Sequence, residues 1–141
     1  IGEIACPAFL RKTLNVQSDT VMKMRRVMSL GGEPIAYFVN YFPTALLKES
    51  SFEKFRQERF LKVLYREAKF ETLLIDQKVQ ASTADMDLAN ALNIRFGDPV
   101  FFIEAVYRTH DETPVGLTHM YHRGDRILLR DLFTTKGSDI R

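Results

Sequence analysis

The chain has 141 residues, of which 45% are hydrophobic, 27% charged and 11% aromatic. These values suit one domain with one hydrophobic core, and they exclude a disordered chain. Every window of about 18 residues holds a charge, which excludes a transmembrane helix. The 20 basic and 18 acidic residues give a net charge of +2, which does not by itself predict a nucleic-acid surface. The single cysteine, Cys6, suits the cytoplasm.

A β-hairpin is predicted in the first part of the chain. Residues 20–30 and 35–42 are rich in β-branched, aromatic and Met residues with partial alternation, which is typical of strands. Between them, Gly31-Gly32-Glu33-Pro34 predicts a turn, because glycine readily adopts positive φ.

The middle of the chain predicts helices. After Pro43, residues 45–47 and 52–55 predict short helical turns. Apolar side chains at helical spacing then predict a helix over residues 58–69.

A strand, a helix and a second hairpin are predicted next. Residues 72–82 alternate as a strand does, and a helix capped by Ser82 or Thr83 is expected to run to about Asn93. Residues 100–108 and 115–123 predict the hairpin. A last short apolar segment is expected at Leu128, Leu129, Leu132 and Phe133, followed by a frayed tail.

An internal repeat sets the expected fold. Residues 4–35 and 82–115 share the order helix, Leu-Asn-Val or Leu-Asn-Ile, turn, strand, turn ending in proline, and strand. A strand precedes the second copy, so we expect residues 1–5 to be the end of an equivalent strand. Two repeated helix-hairpin halves predict an α+β fold, an antiparallel sheet of about six strands with helices packed on it.

Recognised catalytic and metal-binding patterns are scarce. His119 and His122 lie in a predicted strand, where a separation of three places them on opposite faces, so no metal site is expected. Neither a Gly-x-Ser-x-Gly motif nor a phosphate-binding glycine motif is present, and no cofactor is expected. Glu104 interrupts an apolar strand and is either a buried acid with a partner or a residue of the exposed face.

Arginines in predicted strands are the better guide to function. Arg25 and Arg26 are adjacent, so one faces each side of the sheet, and Arg108 ends the equivalent strand of the second half. A guanidinium over a concave sheet offers a planar fork to a carboxylate or phosphate. Alternatively, these arginines lie over the sheet edge and pair with acidic residues. Both interpretations stay open.

The order of these motifs resembles the UTRA domain over about residues 5–133. The segments that carry the resemblance are residues 21–36, Ala81-Ser82-Thr83-Ala84-Asp85, Leu88-Ala89, Leu92-Asn93-Ile94, Gly97-Asp98-Pro99-Val100, Arg108 with Pro114, and Tyr121-His122-Arg123-Gly124-Asp125-Arg126.

The resemblance implies a fold, partners and a location. UTRA domains are the effector-binding C-terminal halves of bacterial GntR-type transcription regulators of the HutC subfamily, with a chorismate lyase-like fold. Residues 1–141 are thus expected to form a single effector-binding and dimerisation domain of a cytoplasmic homodimer, with residues 5–133 as its ordered core. Because residue 1 is Ile rather than Met, we expect the chain to be a piece of a longer protein. The resemblance implies that an N-terminal winged helix outside this chain binds operator DNA.

The resemblance and the strand alternation together give candidate effector-binding residues. They are Arg26, Met28, Phe38, Asn40, Arg59, Arg108, Thr118 and His122, and Met120 shares the same face. Arg26 matches a strand arginine that contacts the anionic group in sugar-phosphate-binding members, whereas Phe38 stands where those members have a carboxylate that holds sugar hydroxyls. Arg59 stands at the start of the central helix and still favours an anion. We therefore predict a small anionic metabolite, a carboxylate with an apolar or aromatic part.

Two other functions remain open at this point. A chorismate-lyase-like enzyme would use Arg26 and Arg108 as a clamp for carboxylates and Glu104 as the acid. A dimerisation module without ligand would pair a strand such as residues 100–107 across a two-fold axis.

Overall fold

A six-stranded antiparallel sheet dominates the computed structural model, which describes residues 1–128. The expected apolar segment at residues 128–133 and the tail therefore lie almost entirely outside the described residues. In chain order the elements are β1 (Gly2–Ala5), α1 (Ala8–Thr13), β2 (Thr20–Leu30), β3 (Glu33–Phe42), a 3₁₀ helix (Glu49–Arg56), α2 (Phe60–Glu67), β4 (Leu74–Thr83), α3 (Met86–Leu92), β5 (Pro99–Arg108) and β6 (Pro114–Arg123).

The predicted hairpins are confirmed. β2 and β3 meet at a turn in which Gly31 and Gly32 have φ of 59° and 80°, values that glycine adopts at little cost. β5 and β6 form the second hairpin. The strand order is β1-β2-β3-β6-β5-β4, so the second strands of the two hairpins, β3 and β6, lie side by side at the centre.

The order strand, helix, strand, strand occurs once before the 3₁₀ helix and once after α2. A structural relation between these two halves stays a prediction. The α+β class with about six antiparallel strands is confirmed.

β5 is an interior strand, with β4 on one side and β6 on the other. Residues 100–107 therefore have no free edge, and the expectation that they pair with a second copy is wrong. Within residues 1–128 the free edges of the sheet belong to β1 and β4.

Alternation along the strands divides the core between the two faces of the sheet. On one face, Met22, Met24 and Phe42 pack with Phe60 of α2 and Phe55 of the 3₁₀ helix. On the other face, α1 and α3 cover separate clusters centred on Leu10 with Leu117 and on Leu92 with Val100. Because β2, β3, β5 and β6 bury apolar residues on both faces, the sheet is the middle layer of three.

α3 begins later than the sequence suggests. Ser82 and Thr83 still pair with β5, and the N-cap is Asp85, whose Oδ1 accepts from the backbone N–H of Leu88 at 2.8 Å. Pairing with β5 keeps the two hydroxyl residues in extended conformation, so the first free capping side chain is that of Asp85.

Candidate functional site

A cavity of about 570 Å³ lies on the α2 face of the sheet, beside the N-terminus of α2; we call it the α2 cavity. Its walls come from β2, β3, β5, β6 and the start of α2. The lining residues are Arg26, Val27, Met28, Ser29, Phe38, Asn40, Arg59, Phe60, Leu61, Tyr107, Thr118 and Met120.

Strand register brings the sheet residues of the α2 cavity into two adjacent rows. Arg26 pairs with Phe38, which pairs with Met120. Two residues further along β3, Asn40 pairs with Thr118. Since residues two apart on a strand share a face, these five side chains all project toward α2.

The first of these rows ends in a positively charged group. Arg26 Nη1 donates to the backbone oxygen of Glu58 at 3.0 Å, which holds the arginine beside the start of α2. Arg59 is the N-cap residue of α2, and its side chain makes no capping hydrogen bond to the helix. The free N–H groups of a first helical turn carry partial positive charge, so they add to the two guanidinium groups.

Neither Arg26 nor Arg59 forms an ion pair with a carboxylate within residues 1–128. Glu58, which adjoins Arg59, instead pairs with Arg66 at 2.7 Å and with Lys62 at 3.0 Å. Hydrogen bonds from Arg66 and then Lys62 lower the pKa of Glu58 to about 2. The Glu58 carboxylate is thus already paired with two cations.

A polar group lies in the second row. Asn40 Nδ2 donates to Thr118 Oγ1 at 2.6 Å, and the Tyr107 hydroxyl donates to the same oxygen at 2.9 Å. Asn40 and Thr118 are each only 2% exposed. Burial raises the pKa of Tyr107, so its hydroxyl stays protonated and a donor at neutral pH.

Between the charged and polar groups the walls are apolar. Phe38, Met28 and Met120 line the sheet side, and Phe60 and Leu61 line the helix side. No carboxylate is among the lining residues that the structure describes. This combination suits a ligand with a negative charge and an apolar body, because most hydroxyls of a buried polyol would lack acceptors.

Six of the eight predicted site residues line the α2 cavity: Arg26, Met28, Phe38, Asn40, Arg59 and Thr118. Arg108 and His122 do not. Arg108 follows an irregularity in the β5–β6 register after Tyr107, and its Nη1 approaches Asp76 Oδ2 of β4 at 3.5 Å. The alternative expectation that a strand arginine pairs with an acid therefore holds for Arg108.

His122 lies just beyond the α2 cavity, behind Phe38. It pairs with Ala36, one row further along the sheet, and its ring meets that of Phe38 edge to face at 5.8 Å. Burial lowers the pKa of His122, which keeps the ring neutral at pH 7. The His122 ring can support the Phe38 side chain, but Phe38 lines the cavity and His122 does not.

Glu104 has a partner on the opposite face of the sheet. Its Oε2 is 3.0 Å from His119 Nε2, and the His119 ring stacks on Phe9 of α1. His119 and His122 thus lie on opposite faces, as their spacing predicts. Within residues 1–128 no three His, Cys, Asp or Glu side chains are placed to hold a metal ion.

Five lining residues were missed by the sequence analysis: Val27, Ser29, Phe60, Leu61 and Tyr107. For Tyr107 a signal exists, since it alternates with Ala105 and Ile103 on β5, and the hairpin register places that series beside Thr118 and Met120. Phe60 and Leu61 could not be placed from sequence, because nothing in it tells where α2 meets the sheet.

A second hollow of about 690 Å³ lies between α3 and the other side of β2 and β3. Its charged lining residues are the cations Lys23, Arg25 and Arg26 and the carboxylates Asp85 and Asp87. The two carboxylates offset most of the positive charge, whereas no carboxylate is among the described residues that line the α2 cavity, so the hollow has less attraction for an anion.

The UTRA domain family matches residues 1–127 of the chain. No curated protein matches it significantly.

None of the helices within residues 1–128 has the length and apolar character needed to cross a membrane.

Solved structures with similar folds come from bacterial regulators. The ligand-binding domain of a protein described as a GntR-family transcriptional regulator from Bordetella bronchiseptica has a TM-score of 0.83 at 18% identity, covering 94% of this chain and 86% of that one. A GntR-family regulator from Enterococcus faecalis V583 gives 0.78 at 19%, covering 96% and 95%. The C-terminal domain of the histidine utilization repressor from Pseudomonas syringae pv. tomato gives 0.77 at 20%, covering 94% and 93%.

Proposed function

The chain belongs to the UTRA domain family, and we propose that it senses a small organic anion with an apolar or aromatic part, bound in the α2 cavity. The observation that carries this proposal is the pair of guanidinium groups, Arg26 and Arg59, beside the uncapped start of α2. A carboxylate placed there would receive hydrogen bonds from Arg26 and would face the positive end of the helix.

Arg26 keeps enough donors for this role. A guanidinium has five N–H groups, and the contact to the Glu58 backbone uses one of them. The same contact fixes the side chain before a ligand arrives, so binding need not restrict a free rotamer. The aromatic ring of Phe38 and the thioethers of Met28 and Met120 then provide an apolar surface for the rest of the ligand.

Binding would act on DNA through a shift between two arrangements of a homodimer. The effector stabilises the arrangement that holds it better, and winged-helix domains attached to the N-terminal ends change their spacing on the operator. A tenfold to hundredfold change in operator affinity requires about 1.4–2.7 kcal/mol of coupling. This regulator works in the cytoplasm, where the metabolite and the operator both occur.

The homodimer is proposed to form through β4. All ten residues of this edge strand are exposed, and Leu74, Ile75 and Val79 are 47–48% exposed on a strand that pairs with β5 alone in the described part of the chain. A second copy that adds its own β4 would complete the hydrogen bonds of this edge and cover the three apolar side chains.

The structure gives less support to the other two functions, a chorismate-lyase-like enzyme and a dimerisation module without ligand. For an enzyme of the chorismate-lyase type, Arg26, Arg108 and Glu104 would have to converge, but Arg108 pairs with Asp76 and Glu104 with His119 outside the α2 cavity. For a dimerisation module without ligand, Phe38, Met28 and Met120 would have to pack into a closed face, whereas they line a cavity of about 570 Å³.

Calorimetry against a panel of small carboxylic acids tests the proposal, with Arg26→Ala as the variant and Arg25→Ala as its matched control. Arg25 directly precedes Arg26 on the same strand but faces away from the α2 cavity. We expect Arg26→Ala to weaken binding at least about tenfold, the effect of losing a charge-assisted hydrogen bond, and Arg25→Ala to leave it within about twofold. Tight binding that Arg26→Ala does not change removes the assignment of the site. Release of pyruvate from chorismate would favour the enzyme instead.

A further inference from the structure

The polar group on the floor of the α2 cavity is not required by the packing of the sheet. Asn40 of β3 and Thr118 of β6 face each other on the two central strands. The row on one side of this pair holds Phe38 and Met120, and the row on the other side holds Phe42, so both neighbouring rows are apolar. A buried amide and hydroxyl in an apolar face cost free energy unless their hydrogen bonds are made. The atoms of this group that still lack a partner therefore indicate which hydrogen bonds a ligand has to supply.

Counting donors and acceptors among residues 1–128 leaves the side-chain oxygen of Asn40, and the second N–H of the same amide, without a partner. Thr118 Oγ1 accepts from both Asn40 Nδ2 and the Tyr107 hydroxyl, which occupies its two lone pairs. No donor among residues 1–128 reaches Asn40 Oδ1, yet no fully enclosed side-chain oxygen or nitrogen there lacks a partner. Asn40 Oδ1 therefore opens into the cavity that its side chain lines.

Asn40 lies in the row of the sheet next to that of Arg26. Asn40 lies two residues along β3 from Phe38, which is the partner of Arg26. Two residues of strand rise and one strand spacing put the backbones of Arg26 and Asn40 about 8 Å apart. Both residues line the α2 cavity, and one ring with a short acidic arm is a simple ligand that could contact the two together.

We infer that the effector carries a hydrogen-bond donor, of which a hydroxyl is the simplest, at the end opposite its anionic group, and that Asn40 Oδ1 receives it. The inference rests on the proposed function, because it takes the anionic end to lie at Arg26. A ligand without such a donor leaves Asn40 Oδ1 desolvated and unpaired, so the α2 cavity discriminates against it.

Three probes that differ only at the far end test the inference: 4-hydroxyphenylacetate, 4-methoxyphenylacetate and phenylacetate. Each has one ring and a carboxylate that is ionised at pH 7, but only the first carries a donor on the ring. Calorimetry with residues 1–141 should give a dissociation constant for 4-hydroxyphenylacetate at least about tenfold below those of the other two.

Asn40→Leu is the decisive variant, and Arg25→Ala, which does not line the α2 cavity, is its control. Asn40→Leu should bring the three dissociation constants within about threefold of one another, whereas Arg25→Ala should keep the ratios of the wild type. The readout is a ratio between probes, so a general loss of affinity does not imitate the result. If Asn40→Leu does not fold, the ratio in the wild-type chain decides by itself.

The failures of the two proposals are distinguishable. Equal binding of the three probes that Arg26→Ala still weakens overturns the inference and leaves the proposed function standing. Absence of binding by all three probes at millimolar concentration also overturns the inference, and the carboxylic acid panel with Arg26→Ala then decides the proposed function separately.

Discussion

Replacing Thr118 with valine removes the oxygen to which Asn40 and Tyr107 donate, while the size of the side chain stays nearly the same. The two hydrogen bonds measure 2.6 and 2.9 Å, and Thr118 is 2% exposed. Each buried donor left without an acceptor costs about 1–3 kcal/mol, and the new methyl group recovers up to about 1 kcal/mol. We therefore expect Thr118→Val to lower the free energy of unfolding by about 1–6 kcal/mol.

Urea unfolding followed by circular dichroism measures this change. Thr118→Ser is the matched control, because it keeps the oxygen and loses one methyl group, at a cost of about 1 kcal/mol. A double-mutant cycle with Tyr107→Phe isolates one donor: when Tyr107→Phe is already present, Thr118→Val should cost about 1–3 kcal/mol less than in the wild type.

Two results would refute this reasoning. One is a Thr118→Val variant within about 0.5 kcal/mol of the wild type, since surface substitutions have effects of that size. The other is a coupling energy of zero between Thr118→Val and Tyr107→Phe, which would mean that the Tyr107 hydroxyl does not depend on Thr118 for its hydrogen bond.

Three further predictions concern a carboxylate, a helix cap and the edge of the sheet. Hydrogen bonds from Arg66 and Lys62 lower the pKa of Glu58 from 4.5 to about 2, so the ionised form contributes stability above pH 4.5 that is lost as the pH falls toward 2. Glu58→Gln should accordingly flatten the pH dependence of the urea midpoint over that interval, and an unchanged slope would contradict the pairing. Asp85→Ala should lower the free energy of unfolding by about 1 kcal/mol through loss of the α3 N-cap, whereas Asp87→Ala should cost only a few tenths, as measured by urea unfolding; equal losses would reject the capping role. Val79→Lys should weaken dimerisation at least about tenfold in analytical ultracentrifugation, because a charge near the middle of β4 would meet its own copy, and Leu30→Lys at the distant β2–β3 turn should not; a dimer that survives Val79→Lys would place the interface elsewhere.

Local chemistry explains why the elements were predictable. The paired glycines at residues 31 and 32 adopt positive φ, which most other residues avoid, and this fixes the first hairpin without help from the rest of the fold. The helical spacing around Phe60 and Leu64 likewise gives α2 from sequence alone, since both side chains are buried on one face. The α3 cap was misplaced by two or three residues because pairing of Ser82 and Thr83 with β5 is a contact between strands that no local pattern contains.

The candidate site likewise has features that the sequence predicts and features that only the tertiary structure decides. Alternation along each strand determined that Arg26, Met28, Phe38 and Asn40 share a face, because a side-chain period of two is a property of the strand itself. Only the tertiary structure decided that β3 lies beside β6, which brings Asn40 to Thr118, 78 residues away in the chain. It also placed Arg108 against Asp76 and set Phe38 between His122 and the α2 cavity. The sequence thus determines which way each side chain projects, whereas the neighbours of that side chain depend on strand order and register, which arise from packing across the whole sheet.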